Sequence, residues 1–307
     1  MGSHSNSRGI SVVVAGVFVL AAALPLLLRP GALAFHSPVR GALLAQPAPG
    51  GPAAPGTETR VDDGGQPVEG KRVTVPIQEI IARVDQAFRF GDGILTGRLT
   101  AVTKSGSTAV WDFSMYNKEG KRLFHFSSSK RGLEAKLLYR EDGEEIWLWD
   151  ASRAQLFRKR DYERFQSVLG TGFSYIDLSG YSLQANYNGS EAILYKTRDD
   201  GIFTRLSMRP IISSDYSKLV LLADQQSAYR PLRIDFHDRR GIMFKTMRQA
   251  YGEVLLKATG KSGMLPSPNR LEVLHLNTGM ITRFEVFTYD DSRLPKDTFF
   301  DPDYLNR

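Results

Sequence analysis

"STAVWDFSMYNKEGKRLFHFSSSKRGLEAKLLYREDGEEIWLWDA", Ser107 to Ala151, alternates apolar and polar residues with a period of two, interrupted by short turns that contain glycine. In its first part Trp111, Phe113 and Met115 alternate with Asp112 and Ser114. One face of that segment is large and apolar, and the other is small or polar at its centre. Such a period is that of a strand. Glycine-containing links of this length join consecutive strands as hairpins.

The same pattern extends in both directions. Upstream lies "ILTGRLTAVTKSG", and downstream follow "EAILYKTRDD", "GIFTRLSMRPI", "YSKLVLLADQQSAYRPLRIDFHDRRG", "IMFKTMRQAYGEV", "PNRLEVLHLNTG" and "MITRFEVFTYDD". Pro231 stands at a strand start, where its missing N–H is tolerated. A conservative count predicts roughly ten or eleven strands. One segment differs: "VPIQEIIARVDQAFRF" places Ile77, Ile80, Ile81, Val84 and Phe88 at helical spacing, with Pro76 suited to a first turn. The expected fold is mainly β, an antiparallel meander forming one strongly curved sheet or open barrel, with an N-terminal helix against its face. No second polar linker follows Gly70, so residues 75–307 read as one domain.

The N-terminal part is of another kind. Ile10 to Leu28, "ISVVVAGVFVLAAALPLLL", is apolar apart from Ser11 and is flanked by Arg8 and Arg29. It is just long enough to span a bilayer. It also leads to an Ala32-x-Ala34 pattern of the kind that precedes signal cleavage. Residues 1–34 are therefore read as a signal peptide or, alternatively, as an inner-membrane anchor through residues 10–28. Both place the remainder in the periplasm. Residues 35–74, rich in Pro, Gly and Ala, have too little apolar surface to offset chain entropy and read as a flexible linker.

Composition narrows the function classes. Of the 40 basic and 33 acidic residues, residues 1–60 hold four arginines and one acid, leaving 36 against 32 in the rest. Acids and bases are interspersed there, which argues against nucleic acid as a partner. There is no cysteine, so thiolate chemistry and disulfides are excluded. Of the five histidines, His4 and His36 precede the domain, while His125, His237 and His275 stand alone on strands, away from metal-ligand spacing. No nucleophile elbow, phosphate loop or zinc motif is present. The chain reads as a non-enzyme with no cofactor and no metal.

The strand faces carry many aromatics and methionines, among them Phe113, Met115, Phe126, Trp147, Trp149, Phe203 and Phe236. Two readings stand: a packed aromatic core, or a cavity adaptable to a flexible apolar ligand. "GTGFSYIDLSG", Gly170 to Gly180, is too glycine-rich for a stable helix and too aromatic for an exposed loop. Phe173, Tyr175, Ile176 and Leu178 supply its apolar area. It is either a lid over the open end of the sheet or a hydrophobic plug. Arg158, Lys159 and Arg160 precede it. They are a solvated strand end or a contact for anionic headgroups or an acidic partner.

Three stretches together resemble the outer-membrane lipoprotein-sorting family, related to the periplasmic lipoprotein carriers. These are Glu144 to Tyr187, Tyr229 to Met247 and Arg270 to Leu305. Gly170 to Leu178 match a family segment reading roughly Gly-Ser-Asp-Phe-Ser-Tyr-Glu-Asp-Leu. Leu294 to Phe299 and Tyr304-Leu305 match its closing pattern. Gly172 and Ile176 depart from the family's Asp and Glu, and the usual Gly-x-Trp-x-Pro is missing near Leu265-Pro266. The resemblance implies an unclosed β-barrel with a lid segment. The acyl chains of lipoproteins, or another lipid, would occupy its concave side for transfer toward the outer membrane. Partners would include an inner-membrane releasing complex or an outer-membrane acceptor. The competing reading is a non-enzymatic envelope scaffold or protein-binding domain with a packed core.

Overall fold

The computed structural model describes residues 66–68 and 73–306, except 129–131, 181, 197–200 and 213. Residues 1–34, expected as a signal peptide or anchor, and most of residues 35–74, expected as a linker, lie outside the described residues. Among the described residues, no helix is long and apolar enough to cross a membrane. All elements below belong to one unit, Pro55–Arg307.

The chain begins with β1 (Gln66–Pro67) and α1 (Ile77–Phe88). A first meander follows: β2 (Gly93–Val102), β3 (Thr108–Lys118), β4 (Lys121–Ser128), β5 (Leu133–Arg140), β6 (Glu145–Asp150) and β7 (Gln155–Lys159). After the short helix α2 (Leu183–Asn186) come β8 (Tyr187–Lys196), β9 (Ile202–Pro210), β10 (Lys218–Asp224), β11 (Arg230–His237) and β12 (Met243–Ala250). The last strands are β13 (Glu253–Leu256), β14 (Lys261–Met264), β15 (Arg270–His275) and β16 (Met280–Asp290). Among the described residues there are therefore sixteen strands. Those beyond the expected ten or eleven include β1, β7, β13 and β14, which span two to five residues each and are too short to display a period.

The main path through the sheet runs β7-β6-β5-β4-β3-β2-β16-β15-β12-β11-β10-β9-β8-β1. Two meanders are thus joined where β2 pairs with β16, from Ile94 opposite Asp290 to Val102 opposite Ile281. Pairing is antiparallel along this path, and the β13–β14 hairpin adds a short parallel contact to β16. The two ends of the path, β7 and β1, are not paired with each other, so the barrel is open.

The curvature can be read from two hydrogen bonds. Tyr139 on β5 donates to the Tyr175 carbonyl, and Lys245 on β12 donates to Asp177. Those strands are six steps apart in the sheet. Flat, they would be separated by about 29 Å at ~4.8 Å per step. Side chains of both strands nevertheless reach the same short stretch, residues 175–177, and strands of both meanders bury one shared core, so the sheet curves around it.

Period two divides the faces. Phe113, Met115, Phe124, Phe126, Leu206, Met208, Phe236, Met247 and Phe284 point into one buried core shared by both meanders. Ile80, Ile81 and Val84 of α1 join it, each burial contributing about 1.5–3 kcal/mol. The helix can approach β8 because Gly189 is there: a Cβ at that position would stand 2.0 Å from Ile77 Cγ2.

Trp147 and Trp149 require a correction as cavity residues. They alternate with Ile146 and Leu148, which take the inner face, and pack instead on a separate outer cluster with Leu123, Leu138, Phe300 and Leu305. The C-terminal tail lies on this outer face. Phe203 also points away from the core, being out of phase with its β9 neighbours Leu206 and Met208.

Candidate functional site

Between β7 and α2 the chain leaves the sheet and crosses the concave face as a strap. A 3-10 turn at Asp161–Phe165 turns it inward, and Ser167 bridges back to Ser174. The reversal between them needs left-handed backbone at Leu169 (φ 51°) and Gly170 (φ 73°), which glycine adopts freely. A second 3-10 turn, Ile176–Leu178, follows before Gly180 (φ 74°). The glycines thus serve turns, and the apolar residues between them point inward. Phe173 is fully buried and meets Phe284 edge-on, while Tyr175, Ile176 and Leu178 are buried in the same core.

Four clasps hold the strap to the wall. The Gly172 N–H donates to Thr282 Oγ1 at 2.8 Å. A Cβ on Gly172 would stand 3.1 Å from both Thr282 Oγ1 and Val273 Cγ1, which gives a physical reason for glycine where the family pattern has Asp. The Tyr139 hydroxyl donates to the Tyr175 carbonyl at 2.8 Å. Arg122 Nη1 donates to the Leu178 carbonyl at 2.9 Å, with its guanidinium over the Phe90 ring.

The fourth clasp is a buried polar group. Lys245 Nζ donates to Asp177 Oδ2 and to Tyr216 Oη, each at 2.7 Å. Ser174 Oγ lies 2.8 Å from Tyr216 Oη, and the Ser174 N–H donates to Asp177 Oδ2 at 2.7 Å. The Lys245 ammonium also sits 4.2 Å from the Phe236 ring centre. Burial lowers the Lys245 pKa against the opposing pull of Asp177, and lowers that of Arg122 to about 10. Burial raises Tyr139 and Tyr216 well above the phenol range, and Tyr175 to about 12. Beyond the strap, Asp85 of α1 accepts from Ser182 Oγ and from the N–H groups of Leu183 and Gln184, anchoring the start of α2.

The strap separates two spaces. Beneath it is an apolar cavity of about 100 Å³, lined by Phe124, Ile176, Leu178, Leu183, Phe236 and Phe284 among others. That is below the ~300 Å³ lower range of ligand pockets. On its other side is an open cleft of about 580 Å³, lined by Phe173, Ser174, Lys245, Arg240 and His275 among others. Tyr216 borders both.

Of the residues singled out from sequence, Phe113, Met115, Phe126, Phe173, Tyr175, Ile176, Leu178 and Phe236 share the core. Only Ile176, Leu178 and Phe236 line the cavity. The basic run does not form one patch. Arg158 pairs with Glu145 at 3.2 Å and lies over Trp147 on the outer face, Lys159 lies over Tyr175, and Arg160 is exposed. Lys245, Tyr216, Arg122 and Asp85 are missed by motif reading. Two of them carry a signal all the same: Lys245 stands in phase with Met243 and Met247, and Arg122 with Phe124 and Phe126, so alternation alone points both cations inward.

Comparison with known proteins fits this geometry. A family profile described as "Uncharacterized protein" matches residues 118–307. The chain belongs to that family. No curated protein matches the sequence significantly. Among solved structures, the chain is similar to a domain named for outer membrane lipoprotein sorting from Vibrio parahaemolyticus. Identity is 21% with a TM-score of 0.60, covering 75% of this chain and 98% of that one. A DUF1329 family protein from Desulfovibrio piger matches at 15% identity and TM-score 0.60, covering 76% and 100%. A LolA superfamily protein from Nitrosomonas europaea matches at 19% identity and TM-score 0.58, again covering 76% and 100%. At these identities the likeness is one of fold. Among the described residues, no group of three or more His, Asp or Glu is placed to hold a metal ion.

Proposed function

We propose that the domain is a periplasmic carrier or chaperone that takes the acyl chains of a lipoprotein, or of another lipid, against its concave face when the strap moves aside. The observation that carries this is the strap itself. It covers an aromatic, methionine-containing concavity with its own apolar side chains, attached by a few discrete polar clasps rather than by sheet pairing to the wall. Burial of Phe173, Ile176 and Leu178 is then exchangeable for burial of acyl chains at similar gain per area. The name of the Vibrio relative, and the three-part sequence resemblance to the lipoprotein-sorting family, support transfer toward the outer membrane. The apolar run at residues 10–28 supports export.

One observation favours a second reading, a protein-binding scaffold with a packed core: the cavity of about 100 Å³ is too small for an acyl chain while the strap is seated. Mass spectrometry of organic extracts from the gently purified full chain separates the two. Stoichiometric lipid supports the carrier, and lipid-free protein supports the scaffold.

A further inference from the structure

Lys245 and Asp177 belong to different parts of the molecule. The lysine is on β12, in the wall of the barrel, with 3% side-chain exposure. The carboxylate is on the strap, with 2% side-chain exposure. Among the described residues, no other carboxylate stands within ion-pair distance of Lys245. The remaining surroundings of its ammonium are the Tyr216 hydroxyl and the rings of Tyr216, Phe236 and Phe244.

Lifting the strap therefore removes the counter-charge and leaves the ammonium with the Tyr216 hydroxyl and the aromatic rings of the wall. A buried charge stripped of its partner is strongly disfavoured. A ligand shifts the closed–open balance only by its differential affinity for the two states. Acyl chains that fill the space left by the strap supply part of that difference, and a ligand that also restores a negative charge at Lys245 adds to it. The position suits such a group. Lys245 lines the open cleft, Tyr216 borders both the cleft and the apolar cavity, and His275 in the same cleft has a buried Nδ1 without a hydrogen-bond partner.

Resting on the carrier reading, the geometry points to an anionic amphiphile as the occupant. Its phosphate or carboxylate replaces Asp177 on Lys245, and its acyl chains replace Phe173, Ile176 and Leu178. An uncharged diacylglyceryl group offers Lys245 no counter-charge.

The test uses delipidated full-length chain and labelled palmitate, dipalmitoyl phosphatidate and dipalmitoylglycerol, with inorganic phosphate as competitor. Palmitate and phosphatidate should bind at least about tenfold tighter than dipalmitoylglycerol. Lys245→Met should abolish the preference, so that phosphatidate and dipalmitoylglycerol bind alike. Equal binding of charged and uncharged amphiphiles by the unmodified chain would overturn the inference while leaving the carrier reading intact. That comparison needs no variant. Displacement of phosphatidate by equimolar inorganic phosphate would also overturn it, making the site one for free phosphate. If none of the three amphiphiles binds, the carrier reading fails and this inference fails with it.

Discussion

Lys245 Nζ and Asp177 Oδ2 are 2.7 Å apart with both side chains almost fully buried, one on the barrel wall and the other on the strap. Removing one member of such a pair leaves the other charged and unpaired, which costs about 3–5 kcal/mol. Asp177→Asn is expected to lose stability at the lower end of that range, because Tyr216 still contacts the lysine. The double variant Asp177→Asn with Lys245→Met should recover part of the loss. A double-mutant cycle by urea unfolding measures the coupling. Single variants indistinguishable from the parent would mean that the pair is not closed in solution.

Gly172 is seated so close to the wall that a side chain there obliges Thr282 or Val273 to give by a few tenths of an ångström. Gly172→Ala brings a Cβ within 3.1 Å of Thr282 Oγ1 and Val273 Cγ1. Overpacking of this kind costs about 1–3 kcal/mol. The expected outcome is a lower urea midpoint, with faster hydrogen exchange confined to the strap. Faster exchange spread evenly over the sheet strands would place the strain elsewhere.

Buried phenols give the strap a pH signature. Tyr139, Tyr175 and Tyr216 are raised by burial, Tyr175 to about 12. Their folded values exceed the unfolded value near ~10. Their contribution to stability is therefore complete below about pH 10 and is lost as pH climbs through the folded values. Lys245 and Arg122, lowered by burial, act in the opposite sense. Phenolate absorbance isolates the tyrosines. Of the 12 in the chain, Tyr139 and Tyr216 should ionise only as the protein unfolds. Tyr216→Phe should reduce the late step alone. A single early step would contradict the buried network.

The sheet was legible because alternation survives at almost every long strand, and both the hairpins and the N-terminal helix follow from it. What alternation alone does not say is which of two apolar faces turns inward. Trp147 and Trp149 look like cavity residues until Ile146 and Leu148 claim the inner face and the C-terminal Phe300 and Leu305 cover the outer one. That assignment depends on contacts more than a hundred residues apart. Phe173, Tyr175, Ile176 and Leu178 were legible as a buried cover because glycine and aromatic residues coincide there. Their clasps were not, since Lys245, Arg122 and Thr282 reach the strap only through the curvature of the sheet. An inward cation in an apolar strand row was the available sign.

The carrier account requires the strap to leave the concave face. Its most direct test is to fasten the strap in place. A Cβ on Gly172 would lie 3.5 Å from the Thr282 Cβ, at the short end of the ~3.5–4.5 Å range that a disulfide spans. The chain has no native cysteine, so Gly172→Cys with Thr282→Cys introduces one defined pair. The measurement is affinity for a fluorescent acyl probe before and after reduction, with each single-cysteine variant as control. Oxidised protein is expected to bind at least about tenfold more weakly than the same protein after reduction, which should match the controls. Equal affinity in the oxidised and reduced forms would contradict the account, because a strap that cannot move would then be no barrier to the ligand.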